Sequence, residues 1–154
     1  MATDRGICWV GTPNTPLSDG EKRIRAEFHV EKFERDDTFP MLLIAKSQLE
    51  KYVVGKNIPF TVPLDIKGTE FQQAVWKTIA QIPYGETRTY TQIAQQIGRP
   101  KAVRAVGSAC GVNPVPIIIP CHRVVASNGG LGGYSGGLEV KKCLLGIEGC
   151  NVTL

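Results

Sequence analysis

Prolines and glycines divide the second half of this 154-residue chain into segments too short for a long helix or an extended sheet, and that punctuation limits the fold more than any other feature. Phe71, Val75, Trp76, Ile79 and Ile82 recur at helical spacing until Pro83 and Gly85 interrupt them. Tyr90, Ile93, Ala94 and Ile97 form a second run, closed by Gly98. Each run opens on a threonine with a glutamine three residues on, Thr69 with Gln72 and Thr89 with Gln92, the pairing in which side chain and backbone cap one another. After Arg99 and Pro100 a third helix is expected from Lys101 onward, with Pro100 near its first position. Two short helices joined by a tight glycine-containing turn make a helix-turn-helix pattern.

The third helix has two unlike faces. Val103, Val106 and Cys110 share one side and are expected to pack inward. The other carries Lys101, Arg104 and Ser108, with Gly107 and Gly111 on the adjoining row, so that side chains are almost absent. A glycine inside a helix costs up to about 1 kcal/mol relative to alanine, so two on one face imply close approach to another surface. Tight packing within the protein is one reading; a DNA backbone or minor groove is the other.

Asn113-Pro114-Val115-Pro116 must be non-helical, because each proline disfavours helix in the residue before it. The apolar run Ile117–Ile119 then reads as a buried strand that delivers Pro120-Cys121-His122-Arg123-Val124-Val125 at its end. A thiol reacts as thiolate, and a cysteine beside a proton acceptor and a fixed positive charge is in a setting that lowers its pKa. In an extended strand neighbouring side chains diverge, so Cys121 and His122 cooperate only if the backbone bends, as Pro120 allows. Residues 127–137 contain six glycines and form a loop that either presents backbone N–H groups or merely connects. Leu138, Val140, Lys141, Leu144, Leu145 and Ile147 predict a last helix ending at Gly149, with Glu148 in its final turn. An acid there opposes the helix dipole and implies a local partner.

The first half reads as a mixed α/β module over 1–67, ahead of a mainly helical unit over 68–154. Residues 6–12 are expected to be a strand, 20–37 a marginal surface helix with Ile24 and Phe28 inward, and Pro40–Tyr52 a helix stopped by Gly55. Residues 59–64 are expected to be extended. The fold class is therefore α/β in the α+β sense.

Five cysteines, an odd number without a C-x-x-C pair, argue for reduced thiols over a disulfide framework or a zinc knuckle; Cys110 and Cys143 read as small buried hydrophobes. Cys8 and His29 alone do not amount to a metal site. No apolar signal region or membrane-length run is present, so a cytoplasmic setting without membrane association is expected. Residues 1–65 carry nine lysines and arginines against ten acids, and residues 66–154 nine against four, so the basic excess lies with Cys121. That asymmetry admits a polyanion partner.

Asn113-Pro114-Val115-Pro116, the Pro120–Val125 box, Gly133-Tyr134-Ser135-Gly136-Gly137 and the Leu144–Gly149 tail, in this order, closely resemble the O6-alkylguanine-DNA alkyltransferases, the methylated-DNA–protein-cysteine methyltransferases. The resemblance runs from about Gly68 to Gly149. It implies irreversible, single-turnover transfer of the alkyl group of O6-alkylguanine, with O4-alkylthymine a second candidate, from double-stranded DNA bound by the minor groove. No cofactor and no metal are implied, and a monomer is expected.

The resemblance makes Cys121 the alkyl acceptor and has His122 take its proton through a water, oriented by Glu148. Asn113 becomes the hinge between recognition helix and active-site strand. Arg104 enters the base stack; Lys101, Ala102, Gly107 and Ser108 also face the DNA. Tyr90 promotes rotation of the nucleotide and donates to the purine. The backbone of Cys121 and Val124 accepts from the guanine amino group, Ser135 N–H meets O6, and Pro116 with Tyr134 walls the alkyl pocket.

Family members usually begin with a strand before the one at residues 6–12, and here the chain is expected to start almost at the second. The zinc-ligand spacing of some members is absent. A non-catalytic alkylated-DNA binder is the main competing reading, although such proteins lack the cysteine. A helix-turn-helix regulator leaves the Cys-His box unexplained, and a cysteine hydrolase leaves the bare helix unexplained.

Overall fold

The computed structural model describes residues 1–150 and divides into two compact units, Met1–Lys67 and one beginning at Gly68. Six α-helices and two small two-stranded sheets make a mixed α/β protein among the described residues.

In the first unit β1 (Ala2–Thr3) pairs antiparallel with β2 (Gly6–Ile7). Ile7 also bridges Leu64 in parallel, its N–H donating to Pro63 O at 2.8 Å while Asp65 N–H returns to Ile7 O at 3.0 Å. The strand expected over 6–12 is thus only two residues long, and its partner at Ala2–Thr3 was not anticipated. The chain packs Gly6 so closely on the backbone at Pro63–Asp65 that a Cβ would lie 2.6 Å from Pro63 O. Helix α1 (Leu17–Phe28) starts earlier and stops sooner than expected, because His29 turns left-handed with φ 55° and caps it. Helix α2 (Pro40–Val53) has the expected proline start. Ile7, Cys8, Ile24, Ala45, Tyr52 and Val62 form the buried core of this unit.

In the second unit both anticipated capping boxes are present. Thr69 caps α3 (Glu70–Ile79) and Thr89 caps α4 (Tyr90–Gln96), each with its glutamine closing the return bond. Helix α3 buries Val75, Trp76 and Ile79, and the Trp76 indole donates to Ala109 O at 2.9 Å. Helix α5 (Val103–Gly111) begins two residues later than expected, since Pro100 and Lys101 lie in the connecting turn and Ala102 occupies the cap position. Its buried side is Val106, Ala109 and Cys110. The preceding strand β3 (Arg88–Thr89) pairs in parallel with β4 (Val124–Val125), which fixes the start of α4 beside the chain leaving Cys121. Helix α6 (Leu138–Ile147) closes the unit.

Ile117–Ile119 is not a strand. Ile117 takes φ 74°, Pro116 bridges Ile119, and Ile119 N–H donates to Val115 O at 3.0 Å, so the run is a tight turn. Prolines at 116 and 120 remove two of the N–H groups a ladder would need. Cys143 is exposed rather than buried, whereas Cys110 is buried as expected. No helix among the described residues is long and apolar enough to cross a membrane, and none of their His, Cys, Asp and Glu side chains cluster as a metal site.

Candidate active site

The bend that Cys121 and His122 need is a 3-10 turn, Cys121–Arg123. Pro120 opens it, Cys121 N–H donates to Ile119 O at 2.8 Å and Arg123 N–H to Pro120 O at 2.9 Å. Three residues per turn splay successive side chains around the axis, so each can enter a different part of the interior. All three are buried: Cys121 is 3% exposed, His122 0% and Arg123 8%.

Behind the thiol, the Asn113 amide donates to Ile119 O at 2.8 Å and to Cys121 Sγ at 3.2 Å. Its oxygen accepts from Val115 N–H at 3.0 Å. One buried side chain thus joins the end of α5, the proline turn and the sulfur.

Glu148 caps the C-terminus of α6 and is fully enclosed. Its carboxylate lies 2.7 Å from His122 Nε2, accepts from Arg123 Nε at 2.9 Å and Nη2 at 3.0 Å, and from Gly85 N–H at 3.1 Å. Arg123 also donates to Ile82 O at 2.6 Å and lies over the Tyr84 ring at 5.8 Å. The acid that opposes its own helix dipole is therefore held by a bidentate arginine as well as by the histidine. Burial holds the His122 imidazole below its ordinary pKa, against the pull of Glu148. A neutral ring whose Nε2 faces a carboxylate carries its proton there, which leaves Nδ1 as the basic nitrogen.

The expected lowering of the Cys121 pKa is corrected. Burial pushes the thiol upward, and the Asn113 hydrogen bond and the Lys141 charge only partly oppose it. Arg123, the fixed charge beside it in sequence, is turned to Glu148. The isolated site therefore holds a thiol, which must lose its proton to react.

Around the thiol lie residues of α4 and the glycine-rich loop. Tyr90, the first residue of α4, donates to Gly133 O at 3.3 Å, and burial pushes its phenol up to about 12. Its ring lies so close to Gly132 that a Cβ there would approach to 2.6 Å; the φ of 68° at Gly132 adds a second reason for glycine. Tyr134 is half-buried, its hydroxyl enclosed without a hydrogen-bond partner among the described residues. Pro116 and Val124 are buried and Ser135 is exposed. The carbonyls assigned to substrate already have partners: Cys121 O accepts from Val124 N–H, and Val124 O from Lys141 at 2.6 Å. Each carbonyl keeps a second lone pair.

On α5 and the turn before it, Lys101, Arg104 and Ser108 are exposed, and Ala102 and Gly107 half-buried. A Cβ at Gly111 would meet nothing within 4 Å, and one at Gly107 only the Tyr90 ring at 3.9 Å. Packing among the described residues does not require either glycine.

Sequence reasoning missed two charged groups. In sequence Arg123 is only a neighbour of the thiol; in the structure it clamps Glu148. The spacing marks Lys141 only as a helical residue, yet it shares the buried stripe of Leu144, Leu145 and Glu148, where a lysine is out of place.

A buried thiol held by an amide, an imidazole on the next residue oriented by a carboxylate, and a two-helix segment with a bare outer face make up the candidate site. Residues 70–150 match the family model "6-O-methylguanine DNA methyltransferase, DNA binding domain". The chain belongs to the methylated-DNA–protein-cysteine methyltransferase family. It is 42% identical over 151 residues to the inducible member of Bacillus subtilis, covering 96% of this chain and 81% of that protein. The Methanosarcina acetivorans member is 55% identical over 105 residues, 68% of this chain and 67% of that protein. The crystal structure of Mycobacterium tuberculosis OGT in complex with DNA is similar at a TM-score of 0.67 and 54% identity, covering 69% of this chain and 66% of that one.

Proposed function

We propose that this chain repairs DNA by moving the alkyl group of O6-alkylguanine onto Cys121 Sγ, once per molecule. The buried pairing of Glu148 with His122 at 2.7 Å, beside an enclosed thiol, supports this reading most directly. An imidazole kept neutral by burial and fixed by a carboxylate is suited to accept a proton. In the proposed step the Cys121 proton passes through a water to His122, the sulfur attacks the alkyl carbon, and the carbon–O6 bond breaks. The electron pair leaves on guanine O6. Donors near that charge, Tyr90 hydroxyl and Ser135 N–H, would stabilise it. The thioether formed resists hydrolysis, so the protein is consumed.

An O6-alkyl carbon lies inside duplex DNA, so the base must leave the stack at a cost of about a few kcal/mol. The helix-turn-helix of α4 and α5 would lie in the minor groove, with Arg104 occupying the gap and the bare row of Gly107 and Gly111 allowing close approach. Lys101, Ala102 and Ser108 would border that contact. Asn113 would carry the position of α5 to the sulfur, and Pro116 with Tyr134 would wall the alkyl group.

Incubation with a duplex containing one O6-methylguanine should add one methyl group to the peptide carrying Cys121, read by mass spectrometry, and Cys121→Ala should bind the duplex without reacting. Unmodified wild-type protein after long incubation would favour the non-catalytic binder and sink the transfer reading.

A further inference from the structure

Lys141 is a buried charge that the proton relay does not use. It lies in the first turn of α6 with 0% exposure, yet its ammonium donates to Val124 O at 2.6 Å, to Leu131 O and to Gly133 O at 3.2 Å. Val124 directly follows the turn that carries Cys121, and Leu131 and Gly133 belong to the glycine-rich loop. An ammonium has three N–H donors, and here they meet three backbone acceptors. Gly133 O is also the acceptor for Tyr90, and the Lys141 ammonium lies 5.9 Å from the centre of the Tyr90 ring.

A loop with six glycines between 127 and 137 has much backbone freedom to lose on ordering. Hydrogen bonds from a buried ion are stronger than neutral ones, so one lysine can fix what the loop's own sequence leaves loose. The same ammonium acts on the thiol: its charge is the cation that opposes the upward push of burial on Cys121. Arg123 has its guanidinium on Glu148 and Ile82 and does not serve there.

We propose that Lys141 is a positioning residue for the transfer: it pins the glycine-rich loop against the thiol turn through three carbonyls and supplies positive charge opposite Cys121 as the thiolate forms. The proposal rests on the reading of Cys121 as alkyl acceptor. No proton leaves Lys141 in the step; the thiol proton goes to His122. The titratable groups around the ammonium are Cys121 and His122 from the turn, Cys110 from α5 and Tyr90 from α4. Burial draws the lysine down to about 8, and the two thiols draw it back up.

Two assays on the full chain test the idea. One is the rate of methyl transfer from an O6-methylguanine duplex. The other is alkylation of Cys121 by iodoacetamide against pH, followed by mass spectrometry of its peptide, which needs no DNA. Lys141→Gln keeps donors but loses the charge; Lys141→Met loses both. For Lys141→Gln the alkylation midpoint should rise by about one pH unit and transfer at neutral pH should slow about tenfold. Lys141→Met should be slower still, and Lys141→Arg should retain the wild-type midpoint.

A folded Lys141→Gln with an unmoved midpoint would overturn the charge role, because a lysine needed only for folding lowers thermal stability without shifting that profile. A folded Lys141→Met that transfers within twofold of wild type would overturn the tether. Where Lys141→Met does not fold, Lys141→Gln against Lys141→Arg decides. If wild-type protein fails to transfer while the iodoacetamide midpoint still moves in Lys141→Gln, the acceptor reading falls and the charge role of Lys141 stands.

Discussion

The thiol turn and the outer face of α5 are built on opposite rules. Behind Cys121, Asn113, Arg123, Lys141 and Glu148 each reach one or more hydrogen-bond partners within 3.2 Å. On α5, Arg104 is exposed, and Gly111 on the adjoining row has open space beside it. The first region was settled at folding, because an unpaired group buried there costs several kcal/mol. The second leaves its outer face exposed. Chemistry at a fixed atom needs preorganisation, and contact with a long polyanion needs room.

The contrast breaks most visibly at Glu148. Glu148→Gln leaves Arg123 without its carboxylate and His122 without the group that sets its tautomer. It should lower stability by about 3 kcal/mol and slow methyl transfer about a thousandfold, measured by chemical denaturation and single-turnover kinetics. Near-normal transfer in a folded variant would remove the carboxylate from the relay.

Arg104→Ala tests the other region. It should slow transfer from duplex DNA about a hundredfold, on the scale of the cost of holding a base out of the stack, and barely change reaction with free O6-benzylguanine. Equal losses on both substrates would reject an intercalating role.

Gly111→Ala sharpens the point about empty space. With nothing within 4 Å of the added carbon, it should raise stability by about 0.5 kcal/mol while weakening duplex binding several-fold, read by thermal unfolding and fluorescence anisotropy. Undiminished binding would mean that the bare face is not used.

The smallest effect is a pH slope. Because burial depresses the folded-state pKa of His122 below its unfolded value near 6.5, the unfolded chain binds more protons below that pH. Stability should therefore fall as pH drops from about 6.5, and the slope should flatten in His122→Asn. An unchanged slope would assign the acid sensitivity to other groups.

The two regions also differ in how far the sequence reveals them. Helices α3 and α4 could be read to within a few residues because Thr69 with Gln72 and Thr89 with Gln92 are local signals, and the bare face of α5 is a matter of residue spacing. The pairing of Glu148 with His122 followed from family resemblance, with an acid at a helix end as the only local hint. Arg123 and Lys141 could not be assigned from spacing, because their partners are Glu148, distant in sequence, and the backbone carbonyls of Ile82, Val124, Leu131 and Gly133. Ile117–Ile119 misled in the ordinary way: β-branched residues favour strands, but the flanking prolines and the Pro116–Ile119 bridge overrode that preference.

That turn has a consequence for how the molecule ages. Ile117 is a β-branched residue at φ 74°, a conformation that costs roughly 1–2 kcal/mol and persists only while its surroundings impose it. The proline turn is thus a latch held shut by Asn113 and the Pro116–Ile119 bridge, and Ile117 lies four residues ahead of Cys121. Warming should open this latch before the helices melt. A stored sample would then lose repair capacity while its circular dichroism still looked native.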